Sequence, residues 1–230
     1  MKRIFKVVFK VEIETMFNGN GSLSLPRMDH LAMLCTNLQN SGLQVLMVSS
    51  GAIVLGSARL GLDAPPKGVV QKQAVAAVGQ AELMRLYQVC FDGYDQKVAQ
   101  VLLTNDVITN PVRNKNACAT FYKLLEKGII PIINENDSVS TDDIIENDNY
   151  PLALIVANIT DADAIVVKTS RETDYQLVLK NSEVVHGIHE GDLYRLADEL
   201  DSGLYEVTAT IGGFPSHINR DSMLPEKPTK

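Results

Sequence analysis

Cysteine is scarce in this sequence, three in 230 residues, and Cys35, Cys90 and Cys118 lie far apart among apolar neighbours. An odd, scattered set of this kind excludes a disulfide scaffold. It reads as reduced core residues rather than metal ligands or a redox pair, which suits a reducing, cytoplasmic setting. Basic charge is also short: 21 Lys and Arg face 28 Asp and Glu, a formal net charge of −7, and no stretch concentrates base, so a nucleic-acid surface is not expected. Long hydrophobic runs are absent as well. Lys6 and Lys10 cut the apolar run that opens the chain, which is therefore no secretory signal. Thr36, Asn37, Gln39, Asn40, Ser41, Gly42, Ser49 and Ser50 break the uncharged stretch 31–58, which is therefore no membrane span. Neither the glycine-rich dinucleotide fingerprint nor a P-loop occurs, EF-hand spacing is missing, and His186 and His189 lack a convincing third ligand, so no metal site is expected.

What is present is the composition of a globular α/β protein, with 45% hydrophobic and 21% charged residues. Short, nearly continuous apolar runs recur at 7–11, 43–48, 98–103, 129–133 and 164–167. Runs without strict alternation predict strands buried on both faces, and hence a mostly parallel sheet covered by helices. Leu31, Leu34 and Leu38, and then Val75, Val78, Leu83 and Leu86, repeat at the spacings of inward helical stripes. Ser41-Gly42, Lys127-Gly128 and the segment 64–68, Ala-Pro-Pro-Lys-Gly, punctuate these elements as turns. Beyond about residue 170 the pattern fades: 170–176 is polar and 183–201 is rich in acid and histidine.

Ligands of open parallel sheets bind beyond the carboxyl ends of the strands, which directs attention to the residues after each run. Ser49-Ser50-Gly51-Ala52 places two hydroxyls and a glycine at a strand-to-helix junction suited to an anionic group, with a plain serine cap as the alternative. Asn134-Glu135-Asn136-Asp137 sets four polar side chains at the mouth of a buried strand, where they can receive an ammonium group or form an Asx-turn. Asn147-Asp148-Asn149-Tyr150 precedes Pro151 and an apolar helical stretch, so a helix cap competes with a binding role. Lys10, at the end of an apolar strand, must meet an anion or snorkel from a sheet edge. Gly212-Gly213 is a weak sign of a phosphate-approaching turn.

Taken together, the blocks at 48–53 (Val-Ser-Ser-Gly-Ala-Ile), 72–80 (Lys-Gln-Ala-Val-Ala-Ala-Val-Gly-Gln), 98–104 (Val-Ala-Gln-Val-Leu-Leu-Thr) and 129–138 (Ile-Ile-Pro-Ile-Ile-Asn-Glu-Asn-Asp-Ser) resemble the amino acid kinase family, in its glutamate-phosphorylating branch. The resemblance runs from about residue 5 to 169 and implies a three-layer α/β/α sandwich with a mostly parallel sheet. It implies one kinase domain over 1–230, with 176–230 the uncertain part. It further implies that ATP and glutamate yield γ-glutamyl phosphate, the first step of proline synthesis, with Mg²⁺ carried by the nucleotide. Under it Ser50, Gly51, Asp137 and Asn149 hold glutamate, and Lys10 is the catalytic lysine on the ATP phosphates. Thr169, Ser170, Ile211, Gly212, Gly213 and His217 take nucleotide positions. Relatives suggest a homo-oligomer and leave proline feedback open.

The departures from the family pattern gather on the phosphate side. Glu12 stands where the family has glycine, with Ile13 and Glu14 after it, Tyr150 replaces an acid, Ser170 an Asp, and His217 a lysine. The C-terminal part reads as truncated or degenerate, with no added RNA-binding-like domain. An intact substrate side beside a damaged phosphate side gives the competing expectation, a catalytically impaired glutamate-binding or regulatory homologue.

Overall fold

The computed structural model describes residues 5–11, 15–18, 23–140, 149–168, 174–179 and 184–195. All five expected apolar runs are strands: β1 (Lys6–Val11), β2 (Gln44–Ser49), β3 (Val98–Leu103), β4 (Ile130–Glu135) and β5 (Ala164–Lys168). They pair in parallel. Two strands that sequence reasoning left as polar segments follow, β6 (Asp174–Leu179) and β7 (Val184–His189), each antiparallel to its predecessor. The seven-stranded sheet has the order β3-β4-β2-β1-β5-β6-β7.

Alternation along each strand divides the core between two layers. On one face Val7, Phe9, Val45, Met47, Ile130 and Ile132 pack with helices α1 (Leu25–Asn40) and α3 (Val69–Asp92), joined by Leu55 of the short α2 (Ala52–Arg59). On the other, Val8, Leu46, Val48, Ile133 and Ile165 pack with α4 (Pro111–Glu126) and α5 (Tyr150–Thr160). The result is the expected three-layer α/β/α arrangement. Each fully buried aliphatic side chain of these layers contributes roughly 1.5–3 kcal/mol.

Local chemistry sets the helix boundaries. Asn110 caps α4, its Oδ1 accepting from the main-chain N–H of Val112 and Arg113, and Pro111 opens the first turn. Gly42 and Gly128 follow helix ends with positive φ, which glycine adopts without strain. α2 and α3 touch backbone to backbone: a Cβ on Gly79 would lie 1.7 Å from the Ala52 carbonyl oxygen, and one on Gly56 2.0 Å from that of Val75. Only glycine permits this approach.

Four expectations are corrected. The run 98–103 is not buried on both faces: β3 lies at the sheet edge, with Gln100 and Leu102 exposed. Val78 is 38% exposed while Val75, Leu83 and Leu86 are buried, because the inward face of α3 runs through Ala76, Gly79, Leu83, Tyr87 and Cys90. Cys118 is only half-buried, unlike Cys35 and Cys90, since α4 presents that side chain at the margin of its packing face. Asn134 and Glu135 belong to β4 itself rather than to the loop after it, and both are buried.

β6 reads as polar because Asp174 and Gln176 interrupt it, yet Tyr175, Leu177 and Leu179 alternate onto the α1 face. Beyond β7, the short α6 (Glu190–Leu193) is anchored to α1 through a 2.9 Å contact between Glu190 Oε1 and His30 Nε2. Tyr175 adds a hydrogen bond to the same carboxylate at 3.4 Å. Among the described residues no helix is long and apolar enough to cross a membrane.

Candidate active site

The connection leaving β2 enters α2 and α3 on one face, whereas the chain leaving β4 returns through α5 on the other. β2 and β4 are neighbours in the sheet, so their carboxyl ends flank a topological switch point, where the diverging connections open a crevice. Ser50, Gly51, Asn134 and Asn149 all lie along this edge.

Ser49 is fully buried toward α3, its hydroxyl 2.7 Å from that of Tyr87, which donates onward to Met16 Sδ at 3.3 Å. Burial pushes the Tyr87 phenol far above its ordinary range. Ser50 turns elsewhere: its hydroxyl donates to the Val11 carbonyl at 3.3 Å and joins the exits of β2 and β1. Gly51, with φ +107°, takes the cap position of α2, and neither serine caps the helix by its side chain. The plain serine-cap alternative is thereby set aside.

At β4, Asn134 Oδ1 accepts from the Glu135 main-chain N–H at 2.9 Å and from Asn149 Nδ2 at 3.0 Å, while Asn134 Nδ2 donates to Gln80 Oε1 of α3 at 2.8 Å. Asn149 Nδ2 donates also to the Ser49 carbonyl. Asn149 occupies the cap position of α5, with Pro151 in the first turn, but its side chain makes no capping bond. Its amide is spent on β2 and β4 instead.

Asp137 lies half-buried in the turn after β4, where the main-chain N–H groups of Val139 and Ser140 both reach the Asn136 carbonyl at 3.0 Å. Gln73 of α3 ties this turn down through the Ser140 carbonyl at 3.4 Å. Ser140 also donates its hydroxyl to Glu135 Oε1, and the buried Oε2 of Glu135 has no partner among the described residues.

Lys10 is on a central strand, level with Val48 of β2 and Val167 of β5, and only 4% exposed. This removes the snorkelling edge lysine. The Tyr150 ring covers the ammonium at 5.7 Å from its centroid. Thr169, Ser170, Ile211, Gly212, Gly213, His217 and Glu12 lie outside the described residues. Among the described residues no group of three or more His, Cys, Asp or Glu is placed to hold a metal ion.

The donor and acceptor balance gives the crevice its chemistry. Asn149 has committed both amide hydrogens and Ser50 its hydroxyl hydrogen, so each has acceptor capacity left to offer. Asp137, in the turn after β4, would add a carboxylate to an oxygen-rich rim suited to an ammonium group. The first amides of α2 point along the helix axis with no intrahelical acceptor and suit a carboxylate. Sequence reasoning did not single out Gln80 or Tyr87 as site residues: Gln80 closes the block 72–80 that carries the family resemblance, and the signal for Tyr87 was polarity on the inward face of a helix.

The Amino acid kinase family model matches residues 15–172. The chain is 40% identical over 200 residues to the glutamate 5-kinase of Clostridium perfringens, covering 85% of this chain and 74% of that protein. Against the glutamate 5-kinase of Listeria innocua it is 42% identical over 171 residues, covering 73% and 62%. Against that of Enterococcus faecalis the identity is 40% over 201 residues, covering 84% and 74%. The chain thus spans 62% to 74% of the length of these curated relatives. With a family match over more than half its length and this identity over most of it, the chain belongs to the amino acid kinase family, among the glutamate 5-kinases.

Proposed function

We propose that the crevice at the ends of β2 and β4 binds L-glutamate, and that the chain phosphorylates its γ-carboxylate from MgATP to give γ-glutamyl phosphate. The observation that carries this reading is the Asn149 amide locked between the Ser49 carbonyl and Asn134, which leaves acceptors rather than donors beside Ser50. Such a rim selects an amino acid over a simple dicarboxylate. Asp137 adds the negative charge that pairs with the α-ammonium, and the α2 amides receive carboxylate.

The chemistry asks little covalent help of the protein. A γ-carboxylate oxygen forms the new bond to the γ-phosphorus as the bond to the departing ADP oxygen breaks, and no proton needs to be removed from the nucleophile. Alignment and charge are therefore the main requirements. Lys10, at the carboxyl end of β1, is the proposed protein cation, and Mg²⁺ arriving with the nucleotide would supply the remainder of the charge. Thr169, Ser170, Ile211, Gly212, Gly213 and His217 are the proposed nucleotide contacts.

The test is a hydroxylamine trap. Folded protein with glutamate and MgATP should accumulate γ-glutamyl hydroxamate, and its absence with protein of verified fold would overturn the kinase reading.

A second reading, glutamate binding without phosphoryl transfer, is favoured by one observation: the Tyr150 ring caps Lys10 where the family carries an acid. Under it glutamate raises the thermal unfolding temperature and MgATP does not. Stabilisation by both ligands would reject it.

A further inference from the structure

We propose that Gln80 is a positioning residue for the amino-acid side of the crevice. It accepts the Asn134 amide hydrogen that remains once the Glu135 main-chain N–H has set which way that amide faces and, through Asn134, steadies Asn149 with its oxygen turned to the ligand. The inference rests on the glutamate-binding reading above.

An asparagine amide turned end for end keeps nearly the same shape, so its partners decide its orientation. Asn134 meets two donors on one side, the Glu135 main-chain N–H at 2.9 Å and Asn149 Nδ2 at 3.0 Å, so its oxygen must face them. Its own Nδ2 then needs an acceptor on the other side, and Gln80 Oε1 supplies it at 2.8 Å. Turned the other way, Asn134 would set its Nδ2 against two donors, one of them the immovable main-chain N–H of Glu135. The relay continues from Asn149 to the Ser49 carbonyl and exhausts the Asn149 hydrogens. Gln80 thus completes, two residues away, the set of partners in which Asn149 offers an acceptor and no donor.

Two features show that Gln80 is not filler. Its Nε2 is buried without a partner among the described residues, a cost that a methionine of similar volume would not carry. It also follows Gly79, where α3 approaches α2 so closely that the helix cannot slide, and the amide is delivered to β4 in a fixed position.

Gln80→Met removes the acceptor while keeping the volume. Gln80→Glu keeps an oxygen for Asn134 Nδ2. Glutamate affinity is measured by calorimetry for both, alone and combined with Asn149→Ala. Gln80→Met should weaken glutamate roughly tenfold, the equivalent of one hydrogen bond, whereas Gln80→Glu should stay within about threefold of the unmodified protein. In the Asn149→Ala background Gln80→Met should add nothing, because the relay has already been cut.

Equal losses for the two Gln80 variants, additive losses in the double variant, or unchanged affinity in Gln80→Met would overturn the role of Gln80. Should Gln80→Met not unfold cooperatively, Gln80→Glu decides by itself, a tenfold loss counting against the relay and retention counting for it. Unmodified protein that binds no glutamate removes the underlying reading and this role with it. Binding by the unmodified protein with an unaffected Gln80→Met variant removes only the role.

Discussion

Asn149 Nδ2 donates to the main-chain oxygen of Ser49, a hundred positions earlier in the chain, and so fastens the first turn of α5 to the exit of β2. Four elements meet there, since the same amide reaches Asn134 of β4 and, through it, Gln80 of α3. Polar groups this deeply buried hold their geometry because no water is at hand to replace a lost partner.

Asp137→Ala should abolish measurable glutamate binding, because it removes the carboxylate of the oxygen-rich rim. A residue that merely shaped its turn would cost about 1 kcal/mol of stability and leave affinity unchanged. Calorimetry with glutamate, paired with urea unfolding, separates the two outcomes.

Lys10→Met should lower kcat on the order of 10²–10³-fold while leaving the KM for glutamate within a few-fold, since the lysine is assigned to the phosphate side. Urea unfolding should show the fold retained. Hydroxamate kinetics and urea unfolding on one preparation test both halves. A large rise in glutamate KM would move Lys10 to the amino-acid side.

Gly79→Ala should destabilise the protein by about 3 kcal/mol, at the upper end for overpacking. The added methyl group would meet the Ala52 carbonyl at 1.7 Å, and main chain on both sides leaves no side chain to yield. Glutamate affinity should fall as well, because α2 carries Gly51 and its amides on its first turn. A near-normal urea midpoint would contradict the close α2–α3 approach.

Stability should fall in alkaline solution. Burial raises the thiol of Cys35 and the phenol of Tyr87 well above their ordinary values. The folded state therefore keeps protons that the unfolded chain releases. The contribution is complete below about pH 8.5, where an unfolded thiol is still protonated, and declines as pH rises, by about 1.4 kcal/mol per pH unit for each group titrating only when unfolded. Urea midpoints at pH 7.5 and 10 measure it, and Cys35→Ala should remove part of the slope. A flat profile in the unmodified protein would contradict the burial of Cys35.

Much of this was legible in sequence because burial writes a simple code. A strand covered on both faces must be apolar throughout, so β1, β2, β4 and β5 stand out without any knowledge of their neighbours, whereas β3 reads the same way although it is a partly exposed edge strand. β6 was illegible for the reason that reverses this logic: Gln176 is buried, and a buried polar residue reads as a surface one until its surroundings are seen. Asn134 and Glu135 misled in the same way, seeming to end a strand that in fact continues through them.

The sequence by itself determined the parallel strands, the two helical layers, and the polar clusters at strand ends, because hydrophobic period and turn residues act over a few positions. It also carried the family, through blocks of residues near in the chain. Only the tertiary structure decided that Lys10 is central and covered by Tyr150, and that Asn149 spends its amide on β2 and β4 rather than on its own helix. It decided likewise that Gln80 of α3 meets Asn134 of β4. The physical reason is range: each of these hydrogen bonds and ring contacts joins residues remote in the chain, and which atoms meet is settled when the layers pack.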